Sequence, residues 1–341
     1  MVVFNYSKMK YLFFILIAPL LFSSACQPDP VRGGAHHLQL LDSVIRKVEA
    51  DLLPLEADIS ALARYSSTLF QQSDSLISLA QENKYFTDEN GFFYNPNASG
   101  EEATVFVSLS SSNKALAKRE VFTTEPMDAA FREIVEQRKM VCQVYFNAAS
   151  NFSRLYPPYD LLNSIDPALD VTAFNFYYLA DPDKNPNRKA VWVEEVYIDP
   201  VGRGWILSLI HPVYSGGALK GVLGFDITLS DLMNAFLESS DKKLMLVDSQ
   251  GTIVAGKAEA IEALSMPPLK NHAYLQTIHS DNFRKEDFNL FKSKSKEVRR
   301  MGSKFLLEKE NYHSFELGGR LFEAYCKRMN IMGWYLLDIH D

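Results

Sequence analysis

The chain has 341 residues, 47% of them apolar and 23% charged, a balance that suits a folded body of two domains and excludes a largely disordered one. Its formal net charge of -7 argues against a nucleic-acid partner, and no lysine or arginine stripe offsets it. The densest basic run, Lys294, Lys296, Arg299 and Arg300, reads as a solvated face.

At the start, Lys8 and Lys10 precede a short apolar run from Tyr11 to Phe22, interrupted by Pro19, and then Ser23, Ser24, Ala25 and Cys26. This is the layout of a secretory signal peptide over residues 1–25, and the run is shorter than the roughly 20 apolar residues that span a bilayer. Ser24-Ala25-Cys26 resembles the end of a bacterial lipobox, with Ser23 where that motif usually carries leucine. The resemblance implies lipidation at Cys26, in preference to an ordinary cleaved signal or an uncleaved anchor. Residues 26–36, with Pro28, Pro30, Gly33 and Gly34, then read as a tether between lipid and folded body. The other two cysteines, Cys142 and Cys326, read as buried free thiols, with a disulfide as the alternative in an oxidising compartment.

Over residues 37–72, Leu41, Val44, Val48, Leu52, Leu55, Ile59 and Leu62 recur at spacings of three and four, the stripe of a long amphipathic helix. Pro54 is expected to kink or divide it. The stripe suits packing along the protein's own domains, and the alternative is a homodimer seam.

Residues 73–238 read as an α+β module. Phe92–Asn95 and Thr104–Ser108 are short strands, a helix runs from Met127 to about Lys139, and Val141–Phe146 with Phe152–Tyr156 form a hairpin. Val191–Ile198 and Trp205–Val213 are β-branched runs on either side of a turn rich in glycine and proline. Gly221–Ile227 is a third strand, and Thr228 with Asp231 is a capping box that opens a helix at Leu229.

Residues 239–341 read as a second module. Leu244–Val247 and Thr252–Ala255 form a hairpin, 258–308 are mixed helix and loop, and Ser314–Leu317, Arg320–Lys327 and Trp334–Ile339 close the chain as strands. The fold class is therefore α+β, a long N-terminal helix followed by two tandem PAS-like modules with antiparallel sheets.

Enzyme chemistry lacks its local signatures: no G-x-S-x-G, H-E-x-x-H, C-x-x-C or P-loop is present, so the chain reads as a non-enzyme without cofactor or metal. His36, His37, His211, His272, His279, His313 and His340 read as structural or exposed. Asp181 to Asn187 alternates oxygen ligands like a calcium loop, but Pro186 stands where that loop needs glycine and Trp192 where it needs glutamate, leaving an ordinary polar loop.

Side chains two apart in a strand share a face, so Tyr197 and Asp199 act together, and Asp226 sits beside Val222 and Gly224 in an apolar strand. A buried carboxylate needs a partner. Two readings stand: a ligand's ammonium group, or backbone N–H groups ahead of the helix. Phe174, Phe176, Tyr177 and Tyr178, with Trp192, Tyr156 and Tyr159, supply aromatic faces that attract cations or fill the core.

At these residues the chain resembles the double Cache (dCache) family of extracytoplasmic sensor domains. The resemblance covers roughly residues 37–341 and is most specific at Val191–Asp199, Pro212–Gly217 and Gly221–Thr228. It implies a membrane-distal module at 73–238 that holds the ligand pocket and a membrane-proximal module at 239–341. In amino-acid-binding members an R-x-W-Y motif precedes a Y-x-D strand, and an aspartate closes the third strand. The matching positions here are Phe174, Phe176 and Tyr177, then Tyr197 and Asp199, then Asp226. The arginine that grips a carboxylate is replaced by Phe174, unless Arg154 or Arg188 restores it, so the resemblance implies an amine or other organic cation as ligand. Such sensors commonly continue into a transmembrane helix and a signalling domain, whereas this chain stops at Asp341 and carries the lipobox-like cysteine, so the expectation is a lipid-anchored sensor that signals through a separate membrane protein. The alternative is an interaction lipoprotein with a degenerate pocket.

Overall fold

The structure is a computed structural model that describes residues 30–199, 203–237, 240–278 and 283–341. The expected signal peptide, Cys26 and the first part of the tether lie outside these residues, as do His279 and part of the junction after residue 237. No helix among the described residues is long and apolar enough to cross a membrane.

Helix α1 runs Pro30–Gln71, 42 residues and about 63 Å at 1.5 Å per residue. It begins earlier than the sequence pattern predicts, with Pro30 in the first turn, where no backbone donor is needed. Pro54 lies inside the helix without dividing it. The buried stripe from Leu41 to Leu62 packs on the chain's own body. Polar contacts mark where α1 lies. Lys327 reaches Asp42 at 3.1 Å and Asn330 N donates to Glu49 at 2.6 Å, while further along Trp192 Nε1 donates to Glu56 at 2.9 Å and Ser67 Oγ to Tyr214 O at 2.6 Å. One helix thus backs two sheets.

Helix α2 (Ser73–Leu79) is followed by short strands β1 (Phe86–Thr87) and β2 (Phe93–Tyr94), then β3 (Thr104–Val107). Helix α3 (Lys114–Thr123), capped by the Asn113 side chain on Leu116 N, was not evident in the sequence, and α4 (Met127–Gln137) follows where expected. Next come β4 (Gln143–Ala148), β5 (Phe152–Tyr156), α5 (Leu161–Ser164), α6 (Asn175–Tyr178), β6 (Val191–Ile198), β7 (Trp205–Ser215), β8 (Ala218–Thr228) and α7 (Leu229–Phe236). The predicted capping box holds: Thr228 Oγ1 accepts from Asp231 N at 3.0 Å. Strands β9 (Leu244–Val247) and β10 (Ile253–Gly256) lead through α8 (Ala258–Ala263), α9 (Tyr274–Ile278) and α10 (Lys296–Gly302) to β11 (Tyr312–Leu317), β12 (Arg320–Arg328) and β13 (Tyr335–His340). Gly318 and Gly319 both take positive φ, 61° and 75°, as the two-residue turn between β11 and β12 requires.

Among the described residues the strands form two antiparallel sheets. The first has the order β1-β2-β3-β5-β4-β8-β7-β6 and the second β10-β9-β13-β12-β11. The fold class expected from the sequence is therefore the one observed. In the first sheet Val105, Val144, Phe146, Leu209, Leu223 and Phe225 face the main core, while Tyr145, Leu155, Val193, Ile210 and Val222 face a separate, smaller apolar cluster on the other side. Strand β6 carries a bulge. Val193 pairs with Ser208 and Tyr197 with Ile206, so two more residues lie between the pairs on β6 than on β7. The bulged residues turn toward the second sheet, where Trp334 Nε1 donates to Glu194 O at 3.2 Å and Lys285 meets Glu195 at 2.8 Å.

Cys142 and Cys326 are free, so the disulfide alternative does not hold. Arg154, a sequence candidate for the ligand clamp, is fully buried on the core side of β5. It pairs with Asp128 and donates from Nη2 to Val121 O at 2.8 Å. Arg188 lies over the Tyr214 ring, 4.0 Å from its centre.

Candidate ligand cavity

Period-two alternation brings the site together. On β4, Gln143, Tyr145 and Asn147 point to the face opposite α1, as do Ser153 and Leu155 on β5, Ser208 on β7, Asp226 on β8, and Tyr197 with Asp199 at the end of β6. The segment between β5 and β6 covers this face with Tyr159, Ile165, Leu169, Val171 and Phe176. They enclose a cavity of about 40 Å³, room for about three or four water-sized centres at roughly 10–15 Å³ each.

Asp226 is 1% exposed. Its Oδ2 accepts from Gln143 Nε2 at 2.5 Å, and its Oδ1 accepts from Ser208 Oγ, which is itself 2.6 Å from the Tyr197 hydroxyl. The Tyr197 hydroxyl also lies 3.5 Å from Oδ1, so all three neighbours are uncharged side chains and the backbone reading of Asp226 does not hold. Burial pushes the carboxyl up to about 7, opposed by the hydrogen bonds from Gln143 and Ser208 and assisted by the nearby charge of Asp199. Asp199, also buried, accepts from Arg203 N at 3.1 Å and from Gln143 Nε2 at 3.4 Å. Two carboxylates thus share one amide.

Unspent polarity also faces this region. Tyr145 OH and Gln143 Oε1 are buried and have no hydrogen-bond partner among the described residues. Burial and the Asp226 charge raise the Tyr145 and Tyr197 hydroxyls well above the usual phenol range, so both remain donors. Gly224, between Val222 and Asp226, lies against the Tyr145 ring, which occupies the space a β-carbon would need. The absent side chain is what leaves that ring its place.

Of the six ligand-binding residues expected from the sequence, Phe176, Tyr197, Asp199 and Asp226 line the cavity. Phe174 and Tyr177 do not. Phe174 stacks behind Phe176, with ring centres 5.0 Å apart and planes 7° from parallel, and Tyr177 is buried in the cluster below. Phe176 meets Tyr145 edge-on at 5.7 Å and Tyr197 at 5.2 Å. Among the other aromatics, Tyr159 lines the cavity, Tyr178 is exposed, and Trp192 and Tyr156 serve the opposite face. Sequence reasoning missed Gln143, Tyr145 and Ser208. A glutamine in an otherwise apolar strand was the available signal for the first, and alternation from it reaches Tyr145. The loop from Asp181 to Asn187 closes on itself, Asn185 N donating to Asp181 O at 2.7 Å.

Residues 185–245 match the family described as the gammaproteobacterial periplasmic sensor domain (GAPES1), a stretch that contains Tyr197, Asp199 and Asp226. No curated protein matches the chain. Similar solved structures include the ligand-binding domain of the Pseudomonas aeruginosa amino acid chemoreceptor PctC in complex with GABA, at 16% identity and TM-score 0.46, covering 91% of this chain and 100% of that one. The ligand-binding domain of the Pseudomonas fluorescens chemoreceptor CtaA with L-isoleucine is similar at 15% identity and TM-score 0.43, over 68% of this chain and 80% of that one. The sensory domain of the Campylobacter jejuni chemoreceptor Tlp3 with isoleucine is similar at 13% identity and TM-score 0.39, over 92% and 97%. The long helix backing two tandem antiparallel sheets is the fold expected from the sequence, and the sensor-family match falls on the stretch from just before β6 to β9 that carries three of the cavity residues.

Proposed function

We propose that the chain is an extracytoplasmic sensor whose cavity binds a small organic cation, a primary amine foremost. The observation that carries this reading is Asp226, a fully buried carboxyl held by the neutral donors Gln143 and Ser208, with the Tyr197 hydroxyl 3.5 Å away, and pushed up to about 7, with aromatic rings around it. An ammonium group would supply the charge this carboxylate lacks, and aromatic faces add roughly 0.5–2 kcal/mol each when desolvated. Phe174 in place of a clamping arginine, with Arg154 committed to Asp128, disfavours a ligand carboxylate in the same space. The cavity's size favours an ammonium head with little else attached, and a larger ligand would have to displace the covering segment.

The sensor-family match supports an extracytoplasmic location. The lipobox-like sequence at Cys26 supports a lipid anchor, with residues 73–238 as the distal module, 239–341 as the proximal one, and a separate membrane protein as the receiver of the signal. Unspent hydrogen-bonding groups at Tyr145 and Gln143 favour a working pocket over a degenerate one.

The test is a thermal-shift screen of the purified chain against amines, amino acids, organic acids and purines, with Asp226→Ala as control. A ligand at about a hundred times its dissociation constant adds roughly 2.7 kcal/mol, several degrees in Tm. Amine hits that vanish in the variant are the expected result. Hits confined to carboxylates would overturn the charge argument, and silence across the panel would favour the interaction-protein reading.

A further inference from the structure

Away from the cavity, His37, Asp338 and His340 meet where α1 crosses the last strand. His37 stands four residues before Leu41 and continues the buried stripe of α1 by one turn. On β13, Asp338 and His340 are two apart and so share a face, the one turned to α1. His37 Nδ1 lies 2.9 Å from Asp338 Oδ2, and His340 Nε2 lies 2.7 Å from the same oxygen. The imidazole rings are 4.2 Å apart, and the three ligand atoms all fall within 4.8 Å of one another.

We propose that these three residues bind a divalent transition-metal ion of the zinc type. Two imidazole nitrogens and one carboxylate oxygen are a ligand set for zinc, leaving a fourth position for water. The polar pairing is incomplete without an ion. Asp338 is fully buried, yet its Oδ1 has no partner among the described residues. His340 Nε2, despite its short approach to Oδ2, makes no hydrogen bond to it. His37 Nδ1 does hydrogen-bond Asp338 Oδ2, but the His340 nitrogen crowding that oxygen and the orphaned Oδ1 stay unsatisfied, which a shared cation resolves. Donor atoms around a tetrahedral zinc at about 2.0–2.1 Å stand about 3.3 Å apart, so the site needs to open by about half an ångström. Tyr325 stacks on His37 at 4.4 Å and 11°, which fixes that ring's plane. The imidazoles are 19% and 25% exposed, which gives the ion an entry path that the buried carboxylate alone lacks. A bound ion would tie the second turn of the first helix to the last strand of the second sheet.

The experiment uses the full chain without an affinity tag, in detergent micelles, stripped with a chelator and titrated with Zn²⁺ by calorimetry and with Co²⁺ by absorbance. His37→Gln and His340→Gln are the test variants, both at partly exposed positions, and His272→Gln at an exposed histidine is the control. The expected result is one ion per chain and a four-coordinate Co²⁺ spectrum. Each test variant should weaken binding at least about 100-fold, since even an outer partner of a ligand is worth 10 to 100-fold. The control should leave binding unchanged. If the wild type binds no more ion than the doubly substituted chain, or if His272→Gln removes as much binding as the test variants, the site is a hydrogen-bonded triad and the proposal fails.

Discussion

Gln143 and Asp226 stand opposite one another in the β4–β8 register, and the amide of the first donates to the carboxyl of the second across the pair. The same amide nitrogen also reaches Asp199, so a single neutral side chain from β4 serves carboxylates from two other strands. A neutral bridge holds both in place without neutralising either, and the energetics of the cavity follow from that.

Stability should fall with rising pH through this site. In the fold Asp226 keeps its proton up to about 7, whereas its ordinary value is 3.8. The native state therefore binds more protons than the unfolded chain between those values. The contribution is fully present below the lower value and is lost as pH rises through the upper one. Asp226→Asn, which stays uncharged, should flatten this slope and be the more stable chain by a few kcal/mol at alkaline pH. Urea midpoints of both chains at about pH 5 and about pH 8 measure it.

Amine binding should run the other way. An ammonium group pairs with the ionised carboxylate, so affinity should climb as Asp226 loses its proton, by about tenfold per pH unit below about 7 and levelling above it. Calorimetric titrations with an amine hit across that range would show the rise. An affinity flat with pH would mean that Asp226 does not face the charge.

Gly224→Ala should damage the cavity from beneath. A β-carbon there has no room beside Tyr145, and forcing one in moves the ring or the strand at a cost of about 1–3 kcal/mol. Loss of ligand response together with a lower Tm is expected, and Val222→Ala, on the same strand face, should lower Tm with less effect on the ligand.

Asp128→Ala should be severe and unrelated to the ligand. It leaves the Arg154 guanidinium buried without its carboxylate, which costs about 3–5 kcal/mol. Below its lowered Tm the variant should keep the wild-type ligand preference, because Arg154 lies on the face of the sheet away from the cavity. A change in preference toward or away from carboxylates would place Arg154 in the pocket after all.

Much of the architecture was legible because it is written in short periods. The run from Val191 to Thr228 alternates cleanly enough that β6 was read at its observed bounds and β7 and β8 to within a few residues, and Thr228 with Asp231 marked the helix that follows. Helix α3 was missed because its stripe is weak: buried Glu120 and Thr123 break the apolar pattern. In the site, Tyr197 and Asp199 could be paired from parity alone, but Ser208 and Gln143 reach Asp226 through strand register, which no local pattern encodes. Arg154 was misplaced for a related reason. Alternation in β5 separates Arg154 from Ser153 and Leu155 without saying which face is the cavity. The histidine cluster fell outside any motif because His37 stands 301 residues from Asp338.

The bulge in β6 makes the length of the segment from Val193 to Tyr197 matter more than its composition. Four steps on β6 answer two on β7, so both residues still point to the cavity. Deleting Glu194 and Glu195 together would restore a plain ladder and keep Tyr197 and Asp199 facing inward, at the loss of the Trp334 and Lys285 contacts. Deleting either one alone would turn both pocket residues toward α1 and present Val196 and Ile198 to Asp226 in their place. At this strand the reading frame of the pleat is even, and only even changes in length conserve the chemistry of the cavity.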